Sequence, residues 1–201
     1  EKFEALPSEY SHLYMAIEGK LAAVICIEDP LREEAPQIIK DLKAAGISKV
    51  VMMTGDSDRT AKAIAKRVGV DVYYSEVLPE DKANFVEQEK AAGRKVIMIG
   101  DGINDSPALS AADIGIAISD GAEIAREIAD VTMSGEDLSE IVTLKLISNQ
   151  LMKRIHKNYR NIVGFNTALI ILGVTGILQP TVSALLHNTS TLYISLKSME
   201  N

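Results

Sequence analysis

"RKVIMIGDGINDSPALSAADIGIAI", residues 94–118, decides how this chain is read. An apolar run, Val96 to Ile99, ends in Gly100-Asp101-Gly102, and Asn104-Asp105 follow one turn later. A strand that finishes in two carboxylates with glycines between them is poorly suited to packing alone. It is well suited to holding a cation beside a phosphate, because Mg²⁺ takes a few carboxylates together with phosphate oxygens and waters. On this reading Asp101 offers one ligand at the strand end and Gly102 lets the backbone approach closely. Asn104 and Asp105 offer a second ligand or support behind the first. An Asp-Gly hairpin turn is the alternative, but "INDSPAL" leads into a helix rather than a returning strand.

Outward from this stretch, short apolar runs alternate with amphipathic helical segments from Leu21 to about Leu138. "LAAVICI" reads as a strand. "LREEAPQIIKDLKAAG" reads as a helix with Leu31, Ile38, Ile39 and Leu42 on one face and Gly46 as its stop. "KVVMMTGD" and "RTAKAIAKRVG" repeat the pattern, as do "VDVYYSEV" and "PEDKANFVEQEKAAG". "IGIAIS" and a helix "GAEIAREIAD" close it. Continuous apolar strands alternating with helices predict a parallel sheet covered on both faces, a Rossmann-like α/β fold. Ligands in such folds gather at the carboxyl ends of strands, where "TGD" and "GDGIND" both sit. Thr54-Gly55-Asp56 offers a hydroxyl and backbone N–H groups to a phosphoryl oxygen, or alternatively Thr54 caps a helix that opens at Asp58. Lys82 stands at a helix start, against the dipole. It either neutralises an anion there or is a solvated surface lysine.

The chain has 201 residues, 47% of them apolar, and a net charge of −7, which argues against a nucleic-acid partner. Cys26 is the only cysteine, so there is no internal disulfide and no cysteine cluster for zinc; it reads as a small core residue. Residues 1–20 lack an initial Met and a signal-peptide pattern, and Leu13–Ile17, Glu18-Gly19-Lys20 and Leu21–Ile27 read as a hairpin cut from something larger. The character changes after residue 150. Lys153, Arg154, Lys157 and Arg160 form a basic block, residues 161–178 are uncharged, Gln179-Pro180 breaks the run, and a second uncharged stretch lasts to Lys197 apart from His187. Lengths and charge placement predict a transmembrane hairpin with the α/β domain on the cytoplasmic side. A buried hairpin in a soluble bundle is the alternative.

The succession of hydroxyl motif, lysine and paired acids, each at the end of a successive strand, is similar to the phosphorylation domain of P-type ATPases, a branch of the haloacid-dehalogenase-like superfamily. The text that carries the resemblance is "TGDSDRTAKAIAKRVGV", "LPEDK" and "GDGINDSPALSAADIGIAI", and it extends over about residues 14–199. Heavy-metal transporters are resembled most, because just two spans follow the domain. The resemblance implies a remnant of the nucleotide-binding domain at 1–20, the phosphorylation domain at 21–145, and a linker helix with two transmembrane helices at 146–201. It implies ATP-driven transport of a transition-metal cation through an aspartyl phosphate, with Mg²⁺ as cofactor, ATP as substrate, and a multi-pass place in the cell membrane. Thr54, beside Gly55, would hydrogen-bond the aspartyl phosphate and Lys82 would pair with its charge. Asp101 would ligate Mg²⁺, Asn104 and Asp105 would order Mg²⁺ and Lys82, and Asp56 would serve nucleotide and domain contacts. The family's nucleophile, the Asp of an Asp-Lys-Thr-Gly sequence, does not occur in this chain. The nucleophile is therefore expected in a missing N-terminal part of the same pump, and the chain by itself is expected to be inactive.

Two other readings stay open. Asp56–Thr60, "DSDRT", fits Asp-x-Asp-x-Thr, the nucleophile motif of soluble phosphatases in the same superfamily. Asp56 would then attack phosphate, Asp58 act as acid and base, and Ser75 supply the hydroxyl. The other is a non-catalytic membrane regulatory protein. Within the expected spans, Asn166, His187 and Asn188 are candidate ligands for the transported metal, since polar groups at membrane depth are costly. Imidazole suits several transition metals, and interhelical hydrogen bonding is the alternative.

Overall fold

The computed structural model describes residues 10–27, 31–101, 104–118, 127–135 and 137–199. The chain divides into two compact units, Glu1–Thr143 and Leu144–Asn201.

The first unit opens with β1 (Ser11–Ile17) and β2 (Lys20–Ile27), an antiparallel hairpin. Glu18 and Gly19 join them at φ 50° and 75°, the paired positive values of a two-residue turn whose twist matches that of the strands. "LAAVICI" therefore pairs with β1 and not with the parallel sheet for which its apolar run was read. Among the described residues this two-stranded ribbon joins no larger sheet. Leu13, Ile17 and Ile27 stay more than half exposed, and Cys26 is exposed rather than a core residue.

Parallel pairing begins with β3 (Val51–Met53) against β4 (Val72–Tyr74). β5 (Ile97–Gly100), β6 (Ile114–Ile118) and β7 (Val131–Met133) form a second parallel sheet in the order β5-β6-β7. The expected single sheet is thus two parallel pieces, with no ladder between β3 and β5 among the described residues. Met53 of β3 nonetheless packs on the core that surrounds β5. The strand β7 was not anticipated. The helix read in "GAEIAREIAD" falls largely on residues outside the described ones.

Helices α1 (Ala35–Ala44), α2 (Asp58–Val68), α3 (Pro79–Ala91) and α4 (Ser106–Ala111) separate the strands. Val86 of α3 and Ala108 and Leu109 of α4 form one core with Met98 and Ala117. Ile38 and Leu42 of α1 form the other with Ile116, Met133 and Ile141. Successive residues Ile116 and Ala117 thus face opposite cores, as strand alternation requires. At β5 coverage is one-sided: Met98 is buried, while Ile97 and Ile99 remain 40% and 36% exposed. Burying a side chain such as Leu109 or Val86, both almost fully enclosed, stabilises by roughly 2 kcal/mol.

One device recurs at the amino ends of the strands. Asp71, Asp113 and Asp130 each stand directly before a strand (β4, β6 and β7) and accept a backbone N–H from the neighbouring strand or its lead-in. The donors are Val50 at 2.8 Å, Val96 at 3.0 Å and Gly115 at 2.8 Å. Lys43 and Lys95 reach Asp71 and Asp113 at 2.8 Å. These lysines, followed by the backbone N–H groups, hold both carboxyls below the usual carboxylate range. Register is pinned at this end, and the opposite, carboxyl ends carry the polar turns.

The second unit contains most of α5 (Ser139–Val174) and α6 (Pro180–Met199). Arg154 donates to the Ser198 carbonyl at 2.7 Å, and Asn158 donates to the Ser198 hydroxyl at 3.0 Å, so the two helices run as an antiparallel hairpin. Two transmembrane spans were expected, and no helix among the described residues is long and apolar enough to cross a membrane. The reason is a turn inside the apolar run. Gly176 at φ 75° ends α5, with Gly176 N–H donating to Gly173 O and Ile177 N–H to Leu172 O, a Schellman closure. The helical part of the run, 161–174, then rises only about 21 Å against roughly 30 Å of hydrocarbon. In α6 the polar stretch His187–Thr191 interrupts the second run.

Candidate active site

Two polar constellations stand at the carboxyl ends of parallel strands in the first unit. The first follows β3. Thr54 N–H donates to Tyr74 O at 3.0 Å and so extends the β3–β4 ladder by one residue. The loop after β4 folds back over the turn: Glu76 N–H donates to Asp56 O at 2.9 Å and Val77 N–H to Thr54 O at 3.0 Å, with Glu76 itself at φ 54°. Thr54 Oγ1 donates to Asp56 Oδ2 at 2.7 Å and accepts from Asp56 N–H at 3.1 Å. Thr54 does not cap the following helix. Ser57 does, accepting from Thr60 N–H, while its hydroxyl also meets that of Thr60 at 3.1 Å. Asp58, in the first turn of α2, accepts from Tyr73 at 3.2 Å and from Ser75 at 3.4 Å. Burial and then the Asp58 carboxylate push the Tyr73 phenol above its usual range.

The second constellation joins the start of α3 to the end of β5. Pro79 opens α3, where its missing N–H costs nothing, and Asp81 accepts from Leu78 N–H at 3.3 Å. One residue further, Lys82 donates to Asp105 Oδ1 at 2.6 Å, with only 15% and 12% of the two side chains exposed. The charge that stands against the helix dipole is thus matched by a buried carboxylate rather than by solvent. Asp101 leaves the end of β5 into solvent, and Asn104 N–H donates to its Oδ1 at 3.4 Å. Gly102 lies outside the described residues.

Gly100 is a position whose part in this constellation sequence reading passed over. A Cβ there would lie 2.4 Å from Asp105 Oδ2, 2.6 Å from its Cβ and 2.8 Å from its Cγ. The Asp105 carboxylate therefore rests on the bare face of Gly100, and Lys82 reaches it there. A glycine closing an otherwise apolar strand was the available signal.

The structure brings Lys82 to Asp105, Asn104 to Asp101, and Thr54 to Asp56. No hydrogen bond joins the Thr54–Asp56 pair to the Lys82–Asp105 pair among the described residues. No group of three or more His, Cys, Asp and Glu side chains that could hold a metal occurs among them either. Two carboxylates, Asp101 in the open and Asp105 beneath it in sequence, suit a hard oxygen-seeking cation that completes its shell with phosphate oxygens and water.

In the second unit His187 Nδ1 lies 2.9 Å from Asn166 Oδ1, so these two candidates are partners. Asn188 is exposed. The hydroxyls of Thr189, Ser190 and Thr191 donate to carbonyls within their own helix, at Leu185 and His187, and are absorbed locally.

The family model for haloacid dehalogenase-like hydrolases matches residues 2–113. The manganese-exporting P-type ATPase of Mycobacterium leprae is 38% identical over 187 residues, 92% of this chain and 26% of that protein. The copper-transporting ATPase 2 of Rhizobium meliloti is 43% identical over 176 residues, 88% of this chain and 21% of that protein. Among solved structures, a zinc-transporting PIB-type ATPase in its E2·Pi state superposes with a TM-score of 0.75 at 28% identity, covering 96% of this chain and 31% of that one. The chain spans about a quarter of the length of the curated relatives it matches.

Proposed function

The chain belongs to the haloacid dehalogenase-like hydrolase family, and we propose that it serves as the phosphoryl-stabilising part of a heavy-metal-transporting P-type ATPase. The observation that carries this is the Lys82–Asp105 pair, seated on Gly100 at the end of β5 and next in sequence to Asp101. A transferring phosphoryl group carries its charge on equatorial oxygens, so fixed donors and cations at that place are the main protein contribution. Lys82, held ready by Asp105, meets that charge. The Thr54 hydroxyl and the backbone at Gly55 donate to its oxygens, and Asp56 holds the Thr54 hydroxyl in position. Asp101 and Asp105, ordered by Asn104, would hold Mg²⁺, which supplies charge neutralisation when bound. ATP is the phosphoryl donor in this reading.

The nucleophile is an Asp on a segment other than this chain. β3 and β5, whose ends carry Thr54 and Asp101, each have an edge without a ladder partner among the described residues. A strand entering between them would bring its carboxylate to both constellations. The phosphatase reading fits less well: Thr60 of "DSDRT" is buried in the Ser57 cap and Asp58 faces Tyr73 and Ser75, so the motif is accounted for as a helix start.

The α5–α6 hairpin belongs to the membrane part in this reading, with the α/β unit on the cytoplasmic side. Support comes from its apolar side chains: Ile170, Val174, Ile177, Leu185 and Leu192 are 62–84% exposed and ask for lipid or further helices around them. His187 is the ligand for a transition-metal cation, and Asn166 orients its ring. With Nδ1 engaged by Asn166, Nε2 of His187 is the coordinating nitrogen. His187→Ala in the complete ATPase is expected to lower metal-stimulated ATP hydrolysis at least tenfold, leaving the metal-independent rate unchanged. Unaltered metal stimulation would remove His187 from the transport site.

A further inference from the structure

Helix α5 presents a second surface, on the side not used by Arg154 and Asn158. Asn149, Met152, Lys153, His156, Lys157 and Arg160 line a shallow concavity of about 470 Å³. Their spacing of three and four residues places them on one helical face. No Asp or Glu occurs between residues 141 and 199, so no carboxylate among the described residues of its own unit neutralises this face. Nor does any ion pair engage Lys153, Lys157 or Arg160 among the described residues. The rest of the chain is strongly acidic, since the net charge is −7 although residues 144–199 contain only basic charges. The basic face also stops where the apolar run begins: Arg160 is followed by residues 161–174, among which Ile162, Val163, Phe165, Ile170, Ile171 and Val174 are exposed.

We propose that Lys153, Lys157 and Arg160 form a binding site for the phosphate of an anionic phospholipid headgroup. The ligand class follows from the arrangement. Three cationic donors converge on one concavity, which suits a phosphate ester. The exposed apolar helix continues directly from it, which suits the acyl chains of the same molecule. A free phosphate would use the cations and leave the apolar continuation unused. The site rests on the reading of the hairpin as membrane-embedded, and it sets the depth of the hairpin by tying residue 160 to the headgroup plane.

The test is flotation of the purified chain with vesicles of phosphatidylcholine alone and of phosphatidylcholine mixed with phosphatidylglycerol in equal parts. A basic residue at a membrane surface contributes about a fivefold gain in affinity for anionic lipid. The triple variant K153Q/K157Q/R160Q is therefore expected to lose roughly a hundredfold of the preference for the anionic vesicles. Gln matches Lys and Arg in helix propensity, so helix content stays constant. K62Q/K66Q/R67Q, the same charge change on exposed positions of α2, is expected to keep most of the preference. Equal losses in both variants would reduce the effect to net charge and overturn the site. So would suppression of binding by inorganic phosphate at the ionic strength of a chloride control, which would mark an ion site instead. Wild-type binding to both vesicle types without preference would overturn the lipid site while keeping the membrane hairpin. Binding to neither would overturn the membrane hairpin itself.

Discussion

Lys82→Met is expected to lower turnover of the complete ATPase at least a hundredfold and to destabilise the α/β unit by about 3 kcal/mol. The two losses have separate origins. Removing the cation leaves Asp105 as an uncompensated charge in a place where only 12% of its side chain meets water, and that is the stability term. It also removes the fixed positive charge that meets the phosphoryl oxygens, and that is the rate term. Adding Asp105→Leu separates them. The double variant has no unpaired buried charge, so its urea midpoint should recover most of the loss while turnover stays low. A Lys82→Met protein with native turnover would show that the pair is a structural contact and nothing more.

Gly100→Ala is the second large effect. The added methyl meets three atoms of Asp105 at 2.4–2.8 Å, distances that real Cβ contacts essentially never reach. Asp105 is the residue before α4 and its side chain is boxed in by Lys82, so relief requires the carboxylate to leave its place. Overpacking of this kind costs about 1–3 kcal/mol. The functional loss should exceed the stability loss, because the carboxylate that moves is the one that aims Lys82 and stands with Asp101. The expected result is a drop in turnover of about a hundredfold with a raised Mg²⁺ requirement. Ordinary turnover at ordinary Mg²⁺ would mean that Asp105 tolerates displacement and does not position Lys82.

Much of this was legible before the fold was known, for reasons that differ from element to element. β5, β6, α1 and α2 follow from their apolar patterns, whereas α3 is marked by Pro79 at its start and Gly93 just past its end. The Asp101–Asp105 stretch is legible because carboxylates and glycines at a strand end have no packing use. β7 escaped notice because it is only Val131–Met133, yet it carries the same sign as its neighbours: Asp130-Val131 repeats Asp71-Val72 and Asp113-Ile114. Pairing partners are a tertiary property, so the apolar run of β2 could not reveal that it joins β1 rather than the parallel sheet. Counting apolar residues alone likewise overlooked Gly176, which ends α5 inside the 161–178 run. The role of Gly100 depends on where the Asp105 side chain lies, and no spacing rule contains that.

In the proposed reading this α/β unit stabilises a phosphoryl group carried by an Asp on another segment. The most direct measurement is acid quenching of the complete ATPase after exposure to Mg²⁺ and ATP labelled in its γ-phosphate, followed by mapping of the labelled residue. The expected result is a hydroxylamine-labile label, typical of an acyl phosphate, on an Asp outside residues 1–201, present in wild type and stable to Asp56→Asn. A label on Asp56 would contradict it and establish the phosphatase reading in its place.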